Sequence, residues 1–202
     1  IITNNSNKIR KKVLILAPHT DDGEFGCGGT ISKLLEDKTE IIYVAFSIAE
    51  ESVKDGLPKN ILEKELKDAT KSLGIREKNV IVFKYPVRRF NEYRQEILED
   101  MVKISKEYQP DSVFLPSSTD THQDHGVINI EGFRAFKTTT IFGYEIPWNN
   151  LTFTTSAFCI LEERHVENKI RAIQQYISQK DRSYSNEIFI RSHLLTRGCQ
   201  IG

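Results

Sequence analysis

The sequence has few cysteines, no excess of either charge and no long apolar run. Its three cysteines, Cys27, Cys159 and Cys199, are odd in number and far apart, which fits a reducing cytoplasm better than a disulfide framework. The 28 basic residues balance the 28 acidic ones, so the charge indicates neither a nucleic acid nor a membrane surface as partner. No apolar stretch approaches the roughly 18 residues of a transmembrane helix. The 202 residues are therefore expected to form one globular domain, 1–202, with a polar arm at 1–11 outside the core.

The chain also lacks internal repeats, low-complexity stretches and the common nucleotide fingerprints. Gly26-Cys27-Gly28 has no third glycine at the dinucleotide spacing, and no Gly-Lys-Ser/Thr sequence follows it. A nucleotide-binding Rossmann module is therefore disfavoured. The glycines are interpreted as turning points of the backbone, and Cys27 as buried against them rather than as a metal ligand.

Short apolar runs alternate with segments of helical periodicity along the chain. This alternation predicts a Rossmann-like α/β fold, a three-layer sandwich with a mostly parallel sheet and helices on both faces, because parallel strands need crossover connections. Strands are predicted at 13–17, 41–46, 80–83, 112–115, 141–144 and 152–161. Helices are predicted at 30–36, 60–73, 93–108, 124–137, 162–179 and 187–197.

A first polar motif follows the first predicted strand, which Pro18 ends. It therefore lies at the carboxyl end of a strand, where α/β sheets bind ligands. His19 and Asp22 are three residues apart and can converge on one metal ion in a helical turn, whereas Asp21 points elsewhere. A hydrolytic metal site needs about three protein ligands, an open position for water and a separate carboxylate base. The motif therefore predicts such a site, in which the carboxylate of Asp21 is not needed as a ligand and can serve as the base.

A third ligand is expected from a second polar cluster at 120–126, which follows the predicted strand at 112–115. In a parallel sheet both clusters emerge at the same edge and can meet. If Asp124 begins the next helix, His125 lies in its first turn and His122 in the preceding loop. One of these histidines is predicted to bind metal and the other to face the substrate.

Several groups of residues match one known family. They are His19-Thr20-Asp21-Asp22 with Gly26-Cys27-Gly28-Gly29-Thr30, then His122-Gln123-Asp124-His125, and finally Ser178-Gln179 and Arg197-Gly198. This set resembles the LmbE-like de-N-acetylases, which include the GlcNAc-phosphatidylinositol (PIG-L) de-N-acetylases. The resemblance covers most of the chain.

The resemblance implies that His19, Asp22 and His125 are zinc ligands and that Asp21 is the general base. Zinc is part of what the resemblance implies, since two histidines and one aspartate also suit other divalent first-row metals.

The resemblance implies roles for the remaining motif residues too. His122 would hold or protonate the tetrahedral intermediate, and Asp124 would orient one of the neighbouring histidines. Thr20 departs from the family's usual proline, which removes a constraint on φ in this loop.

Substrate contacts are expected from two further loops. In the resembling family an arginine in the loop after the third predicted strand contacts substrate. Arg89 is preferred over Arg88 for this role here, and the alternative for both is a solvated basic turn. Trp148 is considered as a stacking surface for a sugar ring, against a place in the core or at an interface between subunits of a homo-oligomer. His165 and His193 are interpreted as ordinary histidines.

The sequence therefore leads to the hypothesis of a cytoplasmic, zinc-dependent hydrolase that removes the acetyl group from an N-acetylated amino sugar of the N-acetylglucosamine type, or from its conjugate. The alternatives are another metal-dependent amide or ester hydrolase on the same site, and a catalytically silent relative that binds metal or carbohydrate. Asp21 argues against the silent relative, because binding does not require a spare base.

Overall fold

Five strands and six α-helices alternate in the computed structural model, which describes residues 11–202. The strands are β1 Lys12–Ala17, β2 Glu40–Ala45, β3 Val80–Val82, β4 Ser112–Pro116 and β5 Thr140–Tyr144. The helices are α1 Asp22–Glu36, α2 Ile61–Leu73, α3 Arg94–Tyr108, α4 Gln123–Ala135, α5 Glu163–Ile173 and α6 Glu187–Cys199. The polar arm predicted at 1–11 lies, except for its last residue, outside the described residues.

The five strands form one sheet in the order β3-β2-β1-β4-β5, with every neighbouring pair parallel. Leu14 on the central strand β1 lies beside Ile42 of β2 and Val113 of β4. β1 is buried on both faces, as its unbroken apolar sequence predicts. Val13 and Ile15 belong to one core, shared with α1, α2 and α5, whereas Leu14 and Leu16 belong to a second core, shared with α3 and α4. The predicted α/β three-layer fold is confirmed, with a sheet that is wholly parallel.

Helix α1 corrects the first helix prediction. It begins at Asp22 rather than at Thr30 and runs through the glycines, with a kink at Cys27, whose φ is −142°. Glycine has a low intrinsic helix propensity, which is why the sequence indicated a turn. The glycines instead allow close packing, because a Cβ on Gly26 would lie 2.3 Å from the ring of Tyr144 and one on Gly29 would lie 2.5 Å from Leu161. Cys27 is buried, and its thiol donates to the carbonyl of Gly23.

The strand predicted at 152–161 is wrong, because this segment pairs with no strand in the part of the chain that the structure describes. β-Branched and aromatic residues favour a strand only where neighbouring strands cover them. Most of the segment is exposed, and Phe153 packs beneath the guanidinium of Arg197, 5.6 Å from the ring centre.

The helix predicted at 162–179 ends early, at Ile173. A separate 3-10 turn, Ile177–Gln179, follows it. The buried carboxylate of Glu65 on α2 accepts the backbone N–H of Ser178 at 2.9 Å and its hydroxyl at 2.6 Å, which stabilises the turn in place of a continued helix. A contact from a distant helix thus holds Ser178 in a separate turn, which local periodicity could not predict.

Candidate active site

The two polar motifs meet at the carboxyl edge of the sheet, because they follow the paired strands β1 and β4. Asp22 is the first residue of α1 and His122 is the N-cap of α4. His125 lies in the first turn of α4, as predicted. The loop after β3 reaches the same edge through the backbone of Arg88.

Three side chains offer ligand atoms around one point. Nδ1 of His19 lies 3.1 Å from Oδ2 of Asp22 and 3.4 Å from Nε2 of His125, and that Nε2 lies 3.2 Å from the same Asp22 oxygen. A tetrahedral ion with nitrogen and oxygen ligands at about 2.0–2.1 Å would place its ligands roughly 3.3–3.4 Å apart. The three atoms therefore fit one metal ion with an open fourth position.

The surroundings of these side chains favour positive charge. Burial disfavours the protonated form of His19, but hydrogen bonds with Asp124 and Asp22 raise the pKa of its imidazole to about 9. Burial acts in the same sense on His125, where the charge of Asp22 and a hydrogen bond with Asp120 raise the pKa to about 10. Burial alone would raise the pKa of Asp22, but the two histidines lower it well below its usual range. A divalent ion would supply the positive charge that these carboxylates stabilise.

A second group, His19, His122 and Asp124, also brings ligand atoms close together. Asp124, however, is already engaged. Its Oδ2 lies 3.0 Å from Nε2 of His19 and accepts the backbone N–H of Arg88 at 2.6 Å, and its Oδ1 accepts that of Phe90 at 3.3 Å. Asp124 thus hydrogen-bonds His19, the histidine of the other motif, which leaves the group of His19, Asp22 and His125 as the candidate metal site.

Asp120 is a site residue that the sequence interpretation did not single out. Its Oδ2 lies 2.7 Å from Nδ1 of His125, and its Oδ1 accepts the backbone N–H of His122 at 2.8 Å. Metal-binding histidines usually hydrogen-bond a carboxylate through their other ring nitrogen. That rule, applied to an aspartate five residues before His125, could have found it.

Asp21 and His122 flank the three ligand candidates. Burial, and then the negative charge of Asp22, raises the pKa of Asp21 to about 6. Nδ1 of His122 accepts the backbone N–H of Asp124 at 3.2 Å, so the neutral ring carries its proton on Nε2. Burial and the neighbouring histidines lower the pKa of His122, which keeps the ring neutral. The site thus contains a carboxylate that titrates near neutrality and an N–H donor.

The two arginines predicted to contact substrate differ in how they relate to the site. The guanidinium of Arg89 forms a bidentate pair with Glu92, at 2.9 and 2.6 Å. Arg88 contacts the site through its backbone, and its exposed guanidinium lies 3.8 Å from Glu51. The backbone of Arg88 thus contacts Asp124, the hydrogen-bond partner of His19, whereas the side chain of Arg89 pairs with Glu92.

Trp148 lies in an aromatic cluster. Its ring stacks on Tyr184 at 3.7 Å between centroids and meets Phe25 edge to face at 5.0 Å. Of the histidines interpreted as ordinary, His165 is buried and caps α5 with its own side chain, and His193 pairs with Glu145.

Comparison with known proteins identifies the class. The family model described as PIG-L, GlcNAc-PI de-N-acetylase, matches residues 14–136, which include both polar motifs. The chain is a deacetylase, a hydrolase that acts on an amide bond. It belongs to the PIG-L family.

Two relatives that are similar to this chain over most of its length are also described as deacetylases. The uncharacterized deacetylase YaiS of Escherichia coli K12 is 28% identical over 182 residues, 88% of this chain and 96% of YaiS. A probable N-acetyl-alpha-D-glucosaminyl L-malate deacetylase 2 of Bacillus anthracis is 29% identical over 189 residues, 86% of this chain and 78% of that protein.

A solved structure agrees as well. The N,N'-diacetylchitobiose deacetylase of Pyrococcus horikoshii, in complex with an inhibitor, superposes with a TM-score of 0.82 at 25% identity. The similarity covers 100% of this chain and 84% of that one. Within residues 11–202, none of the helices combines the length and apolar character that crossing a membrane requires.

Proposed function

We propose that the protein is a zinc-dependent N-deacetylase of an N-acetylated amino sugar of the N-acetylglucosamine type, or of its conjugate. The observation that carries the proposal is the convergence of His19, Asp22 and His125 within 3.1–3.4 Å, with the carboxylate of Asp21 left out of the group. A cytoplasmic location is part of the proposal and is supported by three free cysteines.

The residues present fit a hydrolytic mechanism. An ion held by His19, Asp22 and His125 would supply a Lewis acid that makes a water molecule acidic near neutral pH. Asp21 takes a proton from the attacking water molecule as the oxygen of that water adds to the acetamide carbonyl carbon. The Nε2–H of His122 donates to the developing carbonyl oxyanion. Asp21 then returns the proton to the amine as the carbon–nitrogen bond breaks, giving acetate and a free amino sugar.

The substrate class is supported by the relatives. The Pyrococcus protein acts on N,N'-diacetylchitobiose, and the Bacillus protein is a probable deacetylase of N-acetyl-alpha-D-glucosaminyl L-malate. Both substrates carry an acetamido group on a glucosamine ring. Arg88 is proposed to face the substrate, since its backbone already contacts Asp124, and Arg89 lies beside it. Trp148 is proposed to contact the sugar ring of the substrate as part of the aromatic cluster that it forms with Phe25 and Tyr184.

The test measures acetate release from a panel of N-acetylglucosamine conjugates, with metal-stripped protein before and after zinc is added. We expect release that requires zinc. Zinc bound at one ion per chain without release from any conjugate would contradict the deacetylase and indicate a binding protein. Release of other acyl groups or of alcohols, but not of acetate from acetamides, would indicate a different amide or ester hydrolase.

Two variants distinguish the proposed general base from the proposed metal ligands. Asp21→Ala should keep its zinc but lose about 10²–10⁴-fold in kcat, the usual contribution of a general base. His125→Ala should lose both zinc and turnover. Asp111→Ala, which removes a carboxylate that accepts the backbone N–H of Lys12 at the opposite end of β1 from the site, is the control and should change neither. Retained activity in Asp21→Ala would exclude Asp21 as the base.

A further inference from the structure

Two tyrosine hydroxyls converge on the backbone carbonyl of Thr20, the residue directly before Asp21. Tyr43 on β2 donates to this oxygen at 2.9 Å, and Tyr176, which follows α5, donates to it at 2.8 Å. Tyr43 and Tyr176 are 0% and 1% exposed, and Thr20 is 1% exposed. Two elements far apart in sequence therefore meet on one peptide unit of the catalytic loop.

The hydroxyl of Tyr43 also contacts the other end of the aspartate pair. It accepts the backbone N–H of Gly23 at 3.1 Å, so it connects the residue before Asp21 to the residue after Asp22. The ring fits tightly, because a Cβ on Gly23 would lie 2.5 Å from its Cε2 atom. Tyr43 thus fixes the backbone on both sides of the pair.

A proton count adds Glu24 to this network. The Tyr43 hydroxyl has one hydrogen but lies near two acceptors, the Thr20 carbonyl and Oε2 of Glu24, at 2.9 and 2.5 Å. If that hydrogen goes to Thr20, Glu24 must be a carboxylic acid that donates to Tyr43. The other oxygen of Glu24, Oε1, is buried without a hydrogen-bond partner among the described residues, and this burial costs less free energy for a neutral acid than for a carboxylate.

Thr20 itself does little to fix the peptide that joins it to Asp21, although the backbone N–H of His19 donates to Asp22 across this turn at 2.8 Å. Thr20 stands where the resembling family usually has a proline, so its φ is not restricted by a ring. Its hydroxyl is buried and forms no hydrogen bond within the described part of the chain. The plane of this peptide sets the direction in which the backbone enters Asp21, and hence where the carboxylate points.

We propose that Tyr43 and Tyr176 are positioning residues, which hold the Thr20 carbonyl so that Asp21 faces the reacting water. The proposal rests on the proposed function, in which Asp21 is the general base. The two hydroxyls hold the carbonyl group of a residue whose own side chain forms no hydrogen bond among the described residues. They are called the carbonyl clamp below.

The chain contains a matched control for the clamp. Tyr144 is a third buried tyrosine, and its hydroxyl donates to the carbonyl of Leu16 at 2.9 Å. Leu16 lies on β1, outside the catalytic loop. Tyr144→Phe therefore removes a hydrogen bond of the same type and length without releasing Thr20.

The kinetic test compares Tyr43→Phe, Tyr176→Phe and Tyr144→Phe as zinc-loaded enzymes. The two clamp variants should lose about 10–100-fold in kcat, the scale of a misplaced catalytic group, with KM and zinc content unchanged. Tyr144→Phe should stay within about twofold of the wild-type kcat although it loses a comparable hydrogen bond. Equal kcat losses in all three variants would overturn the proposal.

A double-variant cycle tests whether the clamp acts through Asp21. In an Asp21→Asn background, Tyr176→Phe should cause no further loss of the residual rate, because the group that it positions is already gone. The same fold-loss in both backgrounds would show a general structural effect and refute the positioning role.

Hydrogen exchange tests the clamp independently of activity. Exchange in a peptide covering residues 19–23 should be at least about tenfold faster in Tyr176→Phe than in wild type or Tyr144→Phe, because the loop opens more often. Unchanged exchange in this peptide would overturn the clamp. Absence of acetate release by the wild-type enzyme would instead refute the proposed function, and the exchange comparison would still decide whether the clamp exists.

Discussion

Each histidine of the candidate metal group has a carboxylate on the ring nitrogen that faces away from the other ligands. Asp124 contacts Nε2 of His19, and Asp120 contacts Nδ1 of His125. Because each of these nitrogens is engaged, the opposite nitrogens are free to face Asp22. At the scale of single residues, Asp120 and Asp124 therefore determine which ring nitrogens of the two histidines would face a bound metal ion.

Asp120→Ala tests this selection. The variant should bind zinc about 10–100-fold more weakly, because His125 loses the group that orients it and increases its basicity. Zinc affinity is measured by competition with a chromophoric chelator. Asp120→Asn keeps an acceptor for the N–H of His122 and should give an intermediate affinity. Wild-type affinity in Asp120→Ala would show that Asp120 has no part in the site.

Helix α1 shows how an element positions the site. Its first turn carries Asp22, and Gly26, one turn later, packs against the ring of Tyr144 at the end of β5. The absence of a side chain at this position lets the helix start lie at the edge of the sheet, beside His19. The glycines are thus packing residues, with an indirect effect on the metal ligands.

Gly26→Ala should destabilise the fold by about 1–3 kcal/mol, because the new Cβ would lie 2.3 Å from the buried Tyr144 ring and overpack the core. Gly126→Ala on α4 is the matched control. Nothing lies within 4 Å of its new Cβ, so it should stabilise the fold by up to about 1 kcal/mol through helix propensity. Both are measured by urea unfolding of the metal-free protein. Equal stability of the two variants would contradict the packing role.

At the scale of the whole molecule, an ion-pair cluster connects the last helix to the sheet. Glu145 directly follows β5 and accepts from Nε of Arg197 on α6 at 2.9 Å, and Nε2 of His193 lies 3.3 Å from the same carboxylate oxygen. Burial would raise the pKa of Glu145, but hydrogen bonds from His193 and Arg197 lower it to about 2. This contact connects the C-terminal Arg-Gly motif to the edge of the sheet that carries the site.

The lowered pKa predicts how stability changes with pH. Since the folded pKa of about 2 lies below the ordinary value of 4.5, the charged form of Glu145 stabilises the fold above pH 4.5. This contribution falls as the pH drops from about 4.5 to about 2. Glu145→Gln should therefore cost about 1–3 kcal/mol at pH 7 and nearly nothing near pH 2.

Urea unfolding of the metal-free protein across this pH range checks the prediction. The control is Glu187→Gln, which removes an exposed pair with Arg191 on the same helix and should change the free energy of unfolding by less than about 0.5 kcal/mol. A loss in Glu145→Gln that is the same at every pH would show that the charge of Glu145 does not stabilise the fold.

Local sequence determined the features whose physical cause lies within a few residues. The apolar runs predicted all five strands within one or two residues, and α2 ends at Leu73, as predicted, where Gly74 with φ of 95° follows it. The His-x-x-Asp spacing and the second histidine pair predicted which side chains meet at the sheet edge. The chemical roles of these residues stay predictions.

Tertiary structure decided what depends on contacts between distant segments. The segment at 152–161 has strand propensity but no neighbouring strand among the described residues, and the chain after α5 forms a separate turn where Glu65 binds Ser178. The clamp on Thr20 became visible only when β2 and the chain after α5 were brought together. Hydrophobic period and turn chemistry are properties of neighbouring residues, whereas a hydrogen bond across the fold depends on where its two partners lie in space. The sequence by itself therefore determined the strands and the reactive side chains, and the tertiary structure decided how they are oriented.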